Sequence, residues 1–87
     1  MYDAPWKGSV TVDLPKPHGR ETVRTTREAA DCLIDKWPDR DFSAERDDAL
    51  RLCLAVYEEG ETPEMAKSAF LSALLAAGLF FQEDGIS

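Results

Sequence analysis

The apolar residues of this chain change their repeat once, and that change limits the fold more than any other feature. Val10, Val12 and Leu14 recur at every second position, with Ser9, Thr11 and Asp13 between them, and Trp6 keeps the same parity. A period of two marks a strand with one face buried. From residue 26 onward the apolar residues recur at steps of three and four, the spacing of one helix face. A chain that reads as strand first and helix afterwards is an α+β protein.

The strand segment breaks at Pro15-Lys16-Pro17-His18-Gly19, which cannot continue a ladder and is rich in turn formers. Thr22, Val23 and Thr25 then favour a second strand. The two runs predict an antiparallel hairpin over about residues 7–25, with a five-residue connection.

Helix signals follow at once. Thr25 and Glu28 have capping-box spacing, in which the hydroxyl accepts from the third amide and the carboxylate returns to the cap amide. Thr26 competes for the cap. Ala29, Ala30, Leu33, Ile34 and Trp37 predict one buried stripe on a helix over about 26–37, stopped by Pro38. Asp39 to Phe42 read as a short acidic turn. A second helix is predicted over about 43–59, with Ser43 as cap, Glu45 in its first turn and Gly60 as terminator. From Ala49 to Tyr57 only Arg51 is polar, so apolar groups surround most of its circumference. Such a helix is either central in its own fold or covered by a partner. The third helix, about 62–77, opens on Thr62-Pro63-Glu64 and ends at Gly78. Leu79, Phe80 and Phe81 form an apolar tail, either a third strand beside the hairpin or a plug over the core, and Gln82 to Ser87 read as frayed.

Eighty-seven residues make one domain, residues 1–87, whose small core is marginal by itself, so a second copy of the chain is a natural source of further burial. The formal net charge of −7 argues against a general nucleic-acid binder. The charge is uneven: residues 1–27 carry net +2 and residues 28–87 net −9. Contact with an anion would have to use the first third. The longest apolar stretch, Ala69 to Phe81, is thirteen residues and too short for a bilayer span of about 20. No signal-peptide pattern opens the chain, and the two cysteines are too few for a disulfide scaffold, so the expected location is cytoplasmic.

A wider pattern also emerges. Trp6 ahead of Val10-Thr11-Val12, Arg20 before Val23, Glu28-Ala29-Ala30 with Leu33, and Trp37-Pro38 occur in order. Ala49 with Cys53 follows, then Pro63-Glu64-Met65-Ala66-Lys67-Ser68-Ala69-Phe70 with Ala73 and Ala77-Gly78. In this order and spacing the chain resembles the bacterial proteins grouped as domain of unknown function 982, over about residues 6 to 79. The proline-rich connection and the acidic stretch after Trp37-Pro38 depart from that pattern. The resemblance implies a hairpin-plus-helices domain with no established activity, and it carries over no catalytic residue.

Candidate chemistry is sparse. Cys32 and Cys53 sit on separate helices without a Cys-x-x-Cys spacing, and both read as small packing residues. His18 lies in the turn with no partner to orient it, and one histidine with two separated cysteines cannot complete a zinc site. The acidic turn fails as a calcium loop, with Ala44 where glycine is needed and Leu50 where glutamate is needed. Neither a cofactor nor a metal is expected. Lys16, Arg20, Arg24 and Arg27 form one basic cluster, which reads either as a patch for an anion or acidic partner, or as arginines paired with the chain's own carboxylates. Trp6 and Trp37 occupy apolar positions and read as packing residues.

The predicted core is Trp6, Val10, Val12, Val23, Leu33, Trp37, Leu50, Cys53, Val56, Met65, Ala69, Phe70 and Leu74. Three function classes are ordered on this reading. First is a small interaction or regulatory protein that self-associates, with Leu54 and Leu75 as outward positions of its contact surface. An anion- or nucleic-acid-binding module using Arg20, Arg24 and Arg27 comes second. An enzyme comes last, for want of clustered acid, base, nucleophile or metal ligands.

Overall fold

The computed structural model describes residues 5–16, 18–37 and 44–84. The acidic turn from Asp39 to Phe42, the Ser43 cap, Pro17 of the hairpin connection and the last three residues lie outside the described residues.

Strand β1 (Pro5–Asp13) is the centre of a three-stranded antiparallel sheet, with β2 (Arg20–Thr25) on one side and β3 (Phe81–Asp84) on the other. The β1–β2 register pairs Val10 with Val23, Thr11 with Thr22 and Asp13 with Arg20. The connection closes where the Leu14 amide donates to the Gly19 carbonyl at 2.9 Å. Between Pro5 and Val10 the register shifts, and Gly8 takes up the irregularity at φ 89°. The tail does form a strand, but one that starts two residues further along than Leu79 and shares only Phe81 with the apolar run. Gln82, Glu83 and Asp84, expected to fray, pair with Thr11, Val10 and Ser9. Backbone pairing along an exposed β1 edge satisfies amides that would otherwise need water, whatever side chains the tail carries.

Helix α1 (Thr26–Asp31) starts on Thr25, which settles the choice of cap: the Thr25 hydroxyl accepts from the Glu28 amide at 3.1 Å. The Glu28 carboxylate does not return to the cap amide as the capping-box spacing suggests. It accepts instead from the Arg24 amide at 2.7 Å. Thr26 is fully buried and accepts from the Trp6 indole at 3.0 Å, which ties the start of α1 to the start of β1.

After Asp31 the helix widens into a π-helical turn, Cys32–Lys36, which the apolar spacing does not announce. Its longer step shifts the stripe: Ala29, Cys32, Leu33 and Trp37 are buried, while Ile34, expected in the stripe, is 56% exposed. Trp37 ends the turn in an extended conformation, as a residue before proline prefers.

Helix α2 (Ala44–Glu58) packs on α1, on the π turn and chiefly on α3 (Pro63–Ala77), whereas α1 packs against β2 and α3 against β1. The sheet is thus covered by α1 and α3, and α2 covers those two in turn. The α2–α3 contact is built from small side chains: Ala49, Cys53, Ala66 and Ala73 are all fully buried, which allows close approach of the two helices. Phe70 sits at the middle of the core, with Trp6 at 5.7 Å and Trp37 at 6.2 Å between ring centroids in tilted contact. Both tryptophans are therefore packing residues.

Most of the predicted core is buried. Leu50 and Ala69 are only partly so, and Met65, in the first turn of α3, is 48% exposed. The fully buried Ala29, Ala49, Ala66, Ala73 and Cys32 fill places the prediction left empty.

Candidate functional site

The two outward leucines are both exposed, Leu54 at 46% and Leu75 at 69%. They do not share a patch. A shallow groove between α2 and α3 is lined by Glu45, Asp48, Arg51, Leu52, Ala69 and Ser72. At 100° per residue, Leu54 lies about 200° around α2 from Leu52 and so faces away from α3. Its exposed apolar neighbour is Tyr57, one turn on along α2. Leu75 lies on the outside of α3, within a turn of Ser72.

The arginines also separate. Arg20 and Arg24 extend from the outer face of β2, on either side of Thr22, whereas Arg27 belongs to α1. Arg20 donates through Nε to Asp13 Oδ1 at 3.0 Å, a cross-strand pair open to solvent and so weak. Its two terminal nitrogens have no partner among the described residues, and neither does the Arg24 guanidinium. The basic cluster is therefore partly paired within the chain and partly open.

On that same outer face six side chains stand in two rows across the sheet, with Phe80 joining from the position just before β3. Arg20, Asp13 and Phe80 form one row, the Asp13 amide donating to the Phe80 carbonyl at 2.9 Å. Thr22, Thr11 and Gln82 form the other, with the two threonine hydroxyls 3.4 Å apart. These six residues line a shallow depression of about 280 Å³. Phe80 was anticipated only as part of an apolar tail; it is 70% exposed at the rim of this depression. The alternation of Thr11 and Asp13 along β1 was the sequence signal for such a face, but its third column came from a tail with no strand pattern of its own.

On the helix side of β2, Glu21 forms an ion pair with Lys36 of the π turn. The hydrogen bond from Lys36 holds the Glu21 carboxyl below its usual range, and the same bond raises the Lys36 ammonium. A second depression, of about 230 Å³, lies here between β2 and α1, with Cys32 at its floor and Glu21, Glu28, Asp31 and Lys36 around it. His18 does not line it. Burial pushes both thiols up to about 12, so neither Cys32 nor Cys53 is a ready nucleophile near neutral pH. Among the described residues, no three His, Cys, Asp or Glu side chains gather as a metal would need, and no helix is long and apolar enough to cross a membrane.

Two cations that the sequence left unassigned have structural roles. Arg46 of α2 reaches the Leu33 carbonyl through Nη2 at 2.8 Å and Nε at 3.2 Å. Continuing the π register would require an amide at residue 38, and Pro38 has none, so the guanidinium supplies the missing donor. Lys67 of α3 donates to the Lys7 carbonyl at 3.3 Å and pairs with Glu83 at 3.0 Å, holding the irregular stretch of β1 and strand β3 to the helix layer.

The family model for proteins of unknown function designated DUF982 matches residues 8–81. No curated protein and no solved structure matches the chain. The match runs over most of the chain, from the Gly8 irregularity through all three helices to the first residue of β3, so the chain belongs to the DUF982 family.

Proposed function

We propose that this protein is a small interaction domain that self-associates through the exposed apolar side of α2, and that it is not an enzyme. The observation that carries the reading is the pairing of Leu54 and Tyr57 on the helix farthest from the sheet. Both are more than two-fifths exposed, one turn apart, on a helix whose other face is already filled by α1 and α3. Apolar side chains grouped in this way on a small domain mark a contact surface. The suppressed thiols and the absence of His18 from the depression above Cys32 support a non-catalytic role. Two buried thiols held apart on separate elements suit the cytoplasm.

The test is the solution mass by light scattering over a concentration series, for the natural chain, Leu54→Asp and Leu75→Asp. The reading expects a dimer that Leu54→Asp dissociates with unchanged far-ultraviolet circular dichroism, while Leu75→Asp leaves the mass alone. A monomer at every concentration would overturn self-association.

A further inference from the structure

The outer face of the sheet carries a combination of groups that a merely solvated face has no need of. Phe80 presents a ring. Arg20 and Arg24 present guanidinium nitrogens without partners among the described residues. Thr11, Thr22 and Gln82 add groups that both donate and accept, and Asp13 adds an acceptor whose charge is offset by Arg20 Nε. All of them except Arg24 line one depression, and Arg24 stands two residues from Thr22 on the same face. Arg20 and Phe80 flank Asp13 from opposite sides, about 10 Å apart as two strand spacings.

We propose that this face is a subsite for a nucleotide, with the base stacked on Phe80, its edge and sugar hydroxyls met by Gln82, Thr11, Thr22 and Asp13, and the phosphate held by Arg20 and Arg24. An acidic peptide would need the arginines alone and would leave the ring and the acceptors idle. A base carrying a phosphate uses all of them, since every base has a face that stacks on an aromatic ring and an edge that hydrogen-bonds. The net charge of −7 opposes a long polyanion but bears far less on a ligand with one phosphate, so the site is sized for one nucleotide, free or within a short single strand. The subsite is independent of the Leu54 surface and stands or falls separately from it.

The experiment is an amide NMR titration of the full chain with the four ribonucleoside monophosphates, a single-stranded oligouridylate and ribose 5-phosphate. It is run on the natural chain, Phe80→Ala, Arg20→Gln and, as a control, Leu54→Asp. A saturating shift pattern confined to Thr11, Asp13, Arg20, Thr22, Arg24 and Phe80 to Gln82 is expected, weakened about tenfold by Phe80→Ala and by Arg20→Gln and unchanged by Leu54→Asp. Equal affinity for monophosphate and oligouridylate identifies a free nucleotide as the source. Tighter binding of the oligouridylate, lost as salt rises, identifies a single strand. Three results would overturn the proposal: no saturation at millimolar ligand, shifts mapping elsewhere, or ribose 5-phosphate binding as tightly as the nucleotides. Phe80 is exposed, so its truncation leaves the fold intact, and matching amide spectra of the free variants verify this.

Discussion

Helices α1 and α3 contact the same sheet, yet they are terminated in opposite ways. Everything α3 needs is within its own stretch of chain. Thr62 accepts from the Met65 amide, Pro63 sits where no amide is wanted, and Gly78 at φ 71° turns the chain so that Leu79 and Gly78 donate to Leu74 and Leu75. That last pair of bonds is a Schellman motif. The other helix begins locally, on Thr25, but its end is borrowed. Its last turn opens into π geometry ahead of Pro38, and the Leu33 carbonyl is satisfied by Arg46, thirteen residues away on another helix. A helix with local stops is specified before the fold forms; a helix with a borrowed stop takes its final shape only inside it.

The comparison can be broken most directly at Arg46. Arg46→Ala leaves the Leu33 carbonyl without its donor in a partly buried place, and should cost about 1–3 kcal/mol in denaturant unfolding. Arg46→Lys should recover only part of this, having one point charge in place of a fork. If both variants unfold like the natural chain, the π turn does not depend on α2 and the contrast fails.

Next in size is Gly78→Ala. The space around a new Cβ is empty, so the whole cost is left-handed backbone, about 1–2 kcal/mol. A smaller effect, about 1 kcal/mol, is expected of Thr62→Ala. Both should also lower the helicity of an isolated peptide spanning residues 61–82, measured by circular dichroism. No change in a peptide spanning 24–37 can mimic loss of Arg46. A Gly78→Ala effect seen only in the whole protein would show that α3 too depends on its surroundings.

The thiols sharpen the contrast kinetically. With both pushed up to about 12 by burial, neither should react with an aromatic disulfide reagent at pH 8 except through opening. Cys32, in the borrowed turn, should label faster than Cys53, which is held between α2 and α3. Equal rates would mean that the two regions open together.

The smallest effect concerns the pair that joins the π turn to β2. The carboxyl of Glu21 is held below its ordinary 4.5, so its contribution is complete above that pH and is lost as pH falls through the depressed value. The Lys36 ammonium is raised above 10.5, so its contribution is complete below that pH and is lost as pH rises through the raised value. Melting curves of the natural chain and Glu21→Gln should therefore differ near neutrality and converge in acid. A gap that persists at low pH would assign the difference to packing.

Which parts of this molecule were legible in its residues follows the same division. The alternation of Val10, Val12 and Val23, the Thr25 cap, and the opening and closing residues of α3 were all readable, because each acts on backbone within a few positions of itself. The outward placing of Leu54 and Leu75 could be read from helical spacing, and the shared face of Arg20 and Arg24 from strand alternation. Ile34 could not, since helical spacing alone does not say where a turn widens. The platform on the sheet was out of reach because Gln82 joins it by pairing with Thr11, and Phe80 by accepting from the Asp13 amide, across some seventy residues.

By itself, then, the sequence determined the class of the fold, the hairpin, the order of the helices and most of the core's membership, Trp6, Phe70 and Leu74 among it. These follow from hydrophobic period, turn chemistry and local capping, which act over a turn or two of chain. Only the tertiary structure decided that α1 would end in a π turn held by Arg46, that β3 would take the free edge of β1, and that Lys67 would tie β3 to the helix layer. Each of those outcomes depends on an amide, a carbonyl or a charge finding a partner far along the chain, and such partners meet only once the core has closed.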